Sequence, residues 1–427
     1  MTSFQETLDF LYGLEHFGIS LGLENIEELC RDCGNPQDKL RIVHVAGSNG
    51  KGSSIAFLRQ LLRQHGLSVG VYSSPHLRHF SERIVINETP ISEKEIVALT
   101  RELRPLLEKI PRIVTFFDFT TCLALLYFAR QAPDIVLLET GLGGRLDATN
   151  VVRKPLLTMI TNIALEHEEF LGSTLLAVAA EKAGILKPGV PLVSGVKREK
   201  IRSFFADKQR EMAASSDFLG RDFRLRRQRD GSFTYFGSAY HFPGLSFAMS
   251  GRHQQENAAL ALRAFEQISH EGLFEIDAGL VAQALREVRW PGRLQQVGTA
   301  PDIYLDGAHN PHGVRALEPE LRRLATGRRL LLIIGVMKDK RIKEMVARLA
   351  PLADEVIVTQ APLDRACAPE RLAEEVRAHC PRVTITSSVG DALALARQRA
   401  RAADLIFLTG SLYCVGEAFN VLDLPVL

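Results

Sequence analysis

The sequence predicts an α/β protein: a P-loop-type, mostly parallel sheet domain followed by a smaller, Rossmann-like α/β domain. Three observations predict it. Short runs rich in Val, Ile and Leu alternate with helical patterns from Arg41 onward, the rhythm of a parallel sheet covered by helices on both faces. The run from Ile42 leads into VAGSNGKGSS, Val45 to Ser54, a glycine-rich turn between strand and helix. A second series of strand runs begins beyond WPGRL, Trp290 to Leu294, where the Pro-Gly step makes a hinge. The expected domains are therefore 1–294 and 295–427.

The first series reads as strands at Ile42 to Ala46, Val69 to Tyr72, Ile135 to Leu138, Leu157 to Ile160 and Pro191 to Val193, with a helix over Ile55 to His65. From Phe223 to Phe247 polar and aromatic residues alternate around a D-G turn at Asp230 and Gly231, which predicts a small antiparallel excursion. Helix resumes near His253. The second series has strands at Ile303 to Leu305, Leu330 to Ile334, Glu355 to Thr359, Val383 to Thr386 and Leu405 to Leu408.

Composition bounds the partners. A chain of 427 residues has room for two or three domains with sizeable cores. A formal net charge of +2 supplies no electrostatic drive toward nucleic acid or an anionic membrane. MTSFQETLDF carries acids rather than a basic patch before an apolar run, and no apolar stretch approaches the roughly eighteen residues of a bilayer span, so a cytoplasmic location is expected. Of six cysteines, Cys30 and Cys33 form a C-x-x-C pair. No second pair or nearby His pair completes a metal set, and the expectation is reduced thiols on a helical segment.

The loop at Gly47 points to phosphate. A strand that ends in glycines and runs into a helix aims backbone N–H groups into one concavity, where the helix dipole adds positive potential. Lys51 would reach the β- and γ-phosphates, and a hydroxyl after it would hold Mg²⁺. Measured against G-x-x-x-x-G-K-S/T, Val45 replaces the first glycine and Gly52 the hydroxyl residue. A dinucleotide fingerprint is not found. Gly141, Gly143 and Gly144 are followed by Leu146 where the last glycine belongs, and GVMKDK offers only Gly335.

Glu139, past the strand from Asp134 to Leu138, reads either as a solvated loop carboxylate or as a Walker B-type ligand near the loop. His167, in NIALEHEEFLG, reads as a structural histidine or as a group of the same site. Lys182, in EKAGI, is by itself an ordinary solvated charge. DGAHNPHG, Asp306 to Gly313, is a polar loop at a strand's carboxyl end, better suited to ribose or a small polar substrate than to a metal.

These residues carry a family resemblance. GSNGKGS from Gly47, SPHL from Ser74, ERI from Glu82, ETGLGGRLDATN from Glu139, the His167 segment, EKAGI from Glu181, GRHQQEN from Gly251, PGR ending at Arg293, DGAHNP from Asp306, Asp339 with Lys340, and GSLY from Gly410 resemble, in order and over nearly the whole chain, the folylpolyglutamate and dihydrofolate synthases of the Mur ligase superfamily. The resemblance implies ATP-dependent amide formation, in which a pteroate or folate carboxylate is phosphorylated and then attacked by the amine of L-glutamate. It implies ATP on Gly47, Ser48, Asn49, Gly50, Lys51, Gly52 and Ser53, with Asn257 on adenine and Arg293 and Asp306 on the phosphate and ribose side. It implies Mg²⁺ on Ser53, Ser74, Glu139 and His167, and a carbamylated Lys182. Lys51, Glu139, His167 and Lys182 would form the catalytic group, while Phe117, Asp147, Ala148, His309 and Ser411 would bind substrates, the last two lining the glutamate site.

Glu166 stands where the family usually has Asp, Asp118 where it usually has Glu, and Ser48 where Thr is common. LDATN, Leu146 to Asn150, resembles the version in enzymes that accept dihydropteroate, which implies a bifunctional enzyme acting on dihydropteroate and reduced folates. A synthase of folylpolyglutamate only, and a P-loop regulatory switch that ligates nothing, are the alternatives. The short stretch before Gly47 weighs against a peptidoglycan-building Mur ligase, and a monomer is expected.

Overall fold

The computed structural model describes residues 3–18 and 22–426. They divide into two compact units. The first holds the residues up to Pro75, Phe80–Ala248 and Gln255–Val288; the second holds His76–His79, Met249–Gln254 and the chain from Arg289.

In the first unit, α1 (Phe4–Gly13) starts at a Ser3–Glu6 capping box and is followed by α2 (Glu24–Asp32). β1 (Ile42–Ala46), buried at every residue, feeds the glycine loop and α3 (Lys51–Gln64). The helix begins at Lys51 rather than Ile55, because Gly50 takes a left-handed φ of 86° and turns the chain directly into it. Next come β2 (Val69–Tyr72), β3 (Ile84–Ile86), β4 (Thr89–Pro90), α4 (Glu93–Leu103), α5 (Phe116–Gln131), β5 (Ile135–Glu139) and β6 (Leu157–Ile160). Then α6 (Glu168–Leu171), α7 (Leu175–Ala183), β7 (Leu192–Ser194), α8 (Glu199–Glu211) and β8 (Ser216–Phe218) complete the layer.

These eight strands form one sheet in the order β4-β3-β2-β5-β1-β6-β7-β8. Only the pairings of β3 with β2 and β4 are antiparallel. β1 lies between β5 and β6, with Val45 opposite Glu139 and Ala46 opposite Ile160. The carboxyl ends of three adjacent strands thus meet at one edge, where open α/β sheets carry their ligands. α5 is buried on nearly every face, consistent with its apolar sequence.

β9 (Arg224–Arg227), β10 (Phe233–Phe236) and β11 (His241–Leu245) make the antiparallel excursion, in the order β11-β10-β9. In the turn between the first two, the Asp230 carboxylate accepts from the Ser232 N–H. α9 (Arg252–Ser269) and α10 (Ala278–Glu287) follow.

The second unit contains β12 (Gln295–Gly298), β13 (Asp302–Leu305), α11 (Pro311–Ala325), β14 (Leu330–Ile334), α12 (Ile342–Leu349), β15 (Glu355–Val358), α13 (Pro369–Arg377), β16 (Val383–Ile385), α14 (Val389–Arg399), β17 (Leu405–Thr409) and α15 (Leu412–Val421). The sheet order is β12-β13-β17-β14-β15-β16, parallel except at β12. Leu330, Leu332 and Ile334 enter one core layer and Leu331 and Ile333 the other, so the alternation of a central strand builds both faces. The mixed α/β class and the mostly parallel sheets agree with the sequence. β3, β4, β8 and β12 are not among the strands the sequence predicts: β3 is apolar but only three residues long, and β4, β8 and β12 are short segments without an apolar run. Among the described residues no helix is long and apolar enough to cross a membrane.

Candidate active site

The glycine loop is held from one side by the segment that leaves β6. Thr161 Oγ1 donates to Asn49 O at 2.6 Å, Asn162 accepts the N–H groups of Ser48 and Asn49 at 3.0 Å, and the Ser48 hydroxyl donates to Ala164 O at 3.1 Å. A Cβ on Gly47 would lie 1.8 Å from Thr161 Oγ1, and one on Gly50 would lie 2.5 Å from Asn257 Oδ1. Glycine is needed at both places for close approach, and Asn257 is brought beside the loop. Ser48 and Asn49 spend their N–H groups on Asn162. The outward donors of the loop are the first-turn N–H groups of Lys51, Gly52 and Ser53, which have no carbonyl four residues back within α3. Sequence pattern gives Thr161 no role and marks Asn162 only as the first residue of the His167 segment, although a Thr-Asn pair directly after an apolar strand run is a signal for such a contact.

Lys51 Nζ donates to Gly47 O at 2.9 Å and stands 3.8 Å from Glu139 Oε1. Glu139 is the last residue of β5 and is 5% exposed, so the solvated-carboxylate alternative falls. Its other oxygen accepts from the Ser74 N–H at 3.3 Å. Ser53 is buried in the first turn of α3.

His167 has φ 44° and ψ 48° and immediately precedes α6, a left-handed conformation uncommon outside glycine. Of its three neighbouring carboxylates, Glu166 turns inward to Lys182, Oε1 to Nζ 2.8 Å. Lys182 is 1% exposed, which overturns the solvated-charge reading of EKAGI. Burial pushes the Lys182 amine below the usual lysine range against the pull of Glu166. Burial would raise Glu166, but Lys182 and Lys51 outweigh it and hold the carboxyl below its usual range. Lys51, Glu166, His167 and Lys182 are thus electrostatically joined.

The segment after Glu139 folds into a tight loop. Phe117 lies over Gly141, where a Cβ would be 2.6 Å from its ring, and a Cβ on Gly144 would be 2.9 Å from Glu181 O. The glycines that imitate a dinucleotide fingerprint therefore admit an aromatic ring and the end of α7. Asp147, 4% exposed, accepts from the Leu142 N–H at 2.7 Å and from the N–H and hydroxyl of Thr149. Burial raises its pKa against these bonds. Ala148 is buried beside it. Asp118 lies in the N-terminal capping box of α5, accepting from Thr115 N and Oγ1.

In the second unit, Asp306 Oδ2 accepts from the Leu294 N–H at 2.9 Å and Oδ1 from the Ala308 N–H at 2.8 Å. The carboxylate thereby shapes the turn that carries Arg293, whose Nη1 would be 3.0 Å from a Cβ on Gly307. His309 Nδ1 lies 2.9 Å from Gly307 O; a carbonyl only accepts, so Nδ1 carries the proton. Ser411, 1% exposed, caps α15 by accepting from the Tyr413 N–H.

Among the described residues no group of three or more His, Cys, Asp or Glu side chains is arranged to hold a metal ion. The contact with Cys122, then burial, raises the Cys33 thiol, and the contact with Cys30, with burial, raises the Cys122 thiol against the opposing pull of Cys33, so both remain protonated.

A glycine loop with an acid at the end of the adjacent strand, followed by a second, six-stranded α/β unit, is the layout of a nucleotide-binding α/β protein, and the family matches make its class that of the Mur ligases. Residues 45–265 match the Mur ligase middle domain and residues 292–412 the Mur ligase glutamate ligase domain. The chain belongs to the dihydrofolate synthase/folylpolyglutamate synthase family. It is 32% identical to the Bacillus subtilis dihydrofolate synthase/folylpolyglutamate synthase, over 97% of this chain and 98% of that protein. It is similar in structure to E. coli FolC in complex with DHPP and ADP, with TM-score 0.88 and 29% identity over 98% and 97% of the two chains. The bifunctional Yersinia pestis enzyme complexed with AMPPNP and Mn ion gives TM-score 0.87 and 30% identity over 99% of each chain.

Proposed function

We infer that this chain uses ATP and Mg²⁺ to join L-glutamate to dihydropteroate and to reduced folates, giving dihydrofolate and folylpolyglutamates with ADP and phosphate. The observation that carries this reading is the Lys51–Glu139 pair at the mouth of the glycine loop: a cation for the triphosphate beside an acid for its metal. The nucleotides and manganese named for the solved relatives support both cofactors.

The donor chemistry fits. Ser53, Ser74, Glu139 and His167 are the groups that would hold magnesium, and so small a protein set suits an ion that keeps phosphate oxygens and waters in its shell. Magnesium would neutralise charge on the phosphates. Lys51 and the first-turn N–H groups of α3 bind and orient the triphosphate for attack by the pterin carboxylate. Phe117, Asp147 and Ala148 line the pterin side, Arg293 and Asp306 serve the nucleotide, and His309 and Ser411 serve glutamate. On this reading 1–294 is the ATP-binding ligase domain and 295–427 the glutamate ligase domain of a cytoplasmic monomer. Mass spectrometry of products from ATP, Mg²⁺, glutamate and either dihydropteroate or a tetrahydrofolate tests it. One added glutamate on each acid is expected, and none on dihydropteroate would reduce the activity to folylpolyglutamate synthesis.

A further inference from the structure

β1 reads IVHVA, and its one polar side chain, His44, is 0% exposed. Its Nε2 lies 2.8 Å from Thr149 Oγ1. The Thr149 hydroxyl proton is donated to Asp147, so Thr149 Oγ1 accepts and His44 Nε2 is the protonated nitrogen. His44 Nδ1 then has no hydrogen-bond partner among the described residues. Leucine would fill such a site without an orphaned acceptor, and a single neutral hydrogen bond does not repay that cost in stability.

We propose that His44 is a positioning residue for the pterin side of the reaction: through Thr149 it holds Asp147, and it thereby ties the strand that delivers the ATP loop to the loop that receives dihydropteroate. The inference rests on the assignment of Asp147 to substrate. Its geometric content is independent of that assignment. Asn150 Nδ2 bonds Arg145 O and Gly184 O at 3.0 and 3.1 Å, while Asn150 Oδ1 accepts from Lys187 Nζ at 2.8 Å. The far end of the loop is therefore anchored to the α7 side, and His44 supplies the corresponding anchor from β1.

The test compares Michaelis constants for His44→Leu, His44→Gln, Thr149→Val and Asp147→Asn in the full chain. His44→Leu and Thr149→Val should each raise the KM for dihydropteroate about fivefold to tenfold, the scale of one lost hydrogen bond. The KM values for ATP and glutamate should stay within about twofold. His44→Gln, whose amide can donate to Thr149, should recover most of the loss. A merely structural histidine would lower melting temperature without this selectivity. If His44→Leu leaves the dihydropteroate KM unchanged while Asp147→Asn raises it, or if all three KM values rise together, His44 does not position the loop. If Asp147→Asn leaves that KM unchanged, the substrate role of Asp147 falls and the inference falls with it. Should His44→Leu not fold, Thr149→Val decides the matter alone.

Discussion

Lys182 Nζ lies 2.8 Å from Glu166 Oε1, and both side chains are almost wholly buried. Two buried charges are retained only when each satisfies the other, and removing one partner of such a pair commonly costs about 3–5 kcal/mol. Carbamylation would replace the ammonium by an anion, leaving two negative groups together unless a cation joins them. Carbamate and magnesium should therefore arrive together. Under conditions that preserve a carbamate, Lys182 should carry the added mass of one carbon dioxide in protein loaded with ATP and Mg²⁺ and lose it on chelation. Lys182→Ala should be inactive and regain some turnover with a short-chain carboxylic acid. An unmodified lysine mass in active protein would refute the modification.

Lys51 faces Glu139 at 3.8 Å and Gly47 O at 2.9 Å. Lys51→Ala removes the side-chain cation aimed at the phosphates, and the turnover number should fall at least about a hundredfold. Circular dichroism should show an intact fold, since the pair is a loose one at 3.8 Å and Glu139 keeps the Ser74 N–H as a partner. Near-normal turnover in a folded variant would remove the loop from the reaction.

Gly47 has φ 149° and the 1.8 Å approach to Thr161 Oγ1. Gly47→Ala should displace Thr161, break its bond to Asn49 and abolish affinity for an ATP analogue. Gly189→Ala is the control, because Gly189 is also left-handed (φ 72°) but has nothing within 4 Å of its added Cβ. That variant should lose about 1 kcal/mol of stability and keep its affinity. Equal nucleotide affinity in the two variants would show that the close approach is unimportant.

The central strands were legible because each is a short apolar run buried on both faces; the runs at Ile42, Leu157 and Leu330 agree residue for residue with β1, β6 and β14. Edge strands such as β4, two residues long, leave no such trace. Residues at strand ends were legible as candidates, because position along a parallel strand implies position at the sheet's edge. What a side chain does there was less so. Asp306 and Ser411 read as ligand-facing groups, yet their oxygens accept from neighbouring backbone N–H groups. Glu166 looked like one carboxylate among three until Lys182, distant in sequence, came to rest against it.

His44 supplies a pH prediction. Burial first, then Lys187, pushes its pKa from 6.5 down to about 3. Between those values the unfolded chain binds a proton that the native state refuses, so stability is unaffected above pH 6.5 and is lost as pH falls toward 3. The slope approaches about 1.4 kcal/mol per pH unit. Urea midpoints at pH 7.5, 6 and 5 should show the wild type losing ground to His44→Leu below pH 6.5. A pH-independent difference between the two would mean that His44 titrates normally in the folded chain.

His309 donates through Nδ1 to Gly307 O, which fixes the ring within the loop after β13. A ring held in place there suits the recognition of glutamate, whose amine must approach an acyl phosphate before water does. His309→Ala should leave affinity for an ATP analogue nearly intact, because the partner proposed for His309 is glutamate. It should raise the glutamate requirement steeply and release some ADP without ligated product. The ratio of ADP to product, measured across a glutamate titration, decides the point. Wild-type glutamate affinity with full coupling in His309→Ala would take the glutamate site away from this loop.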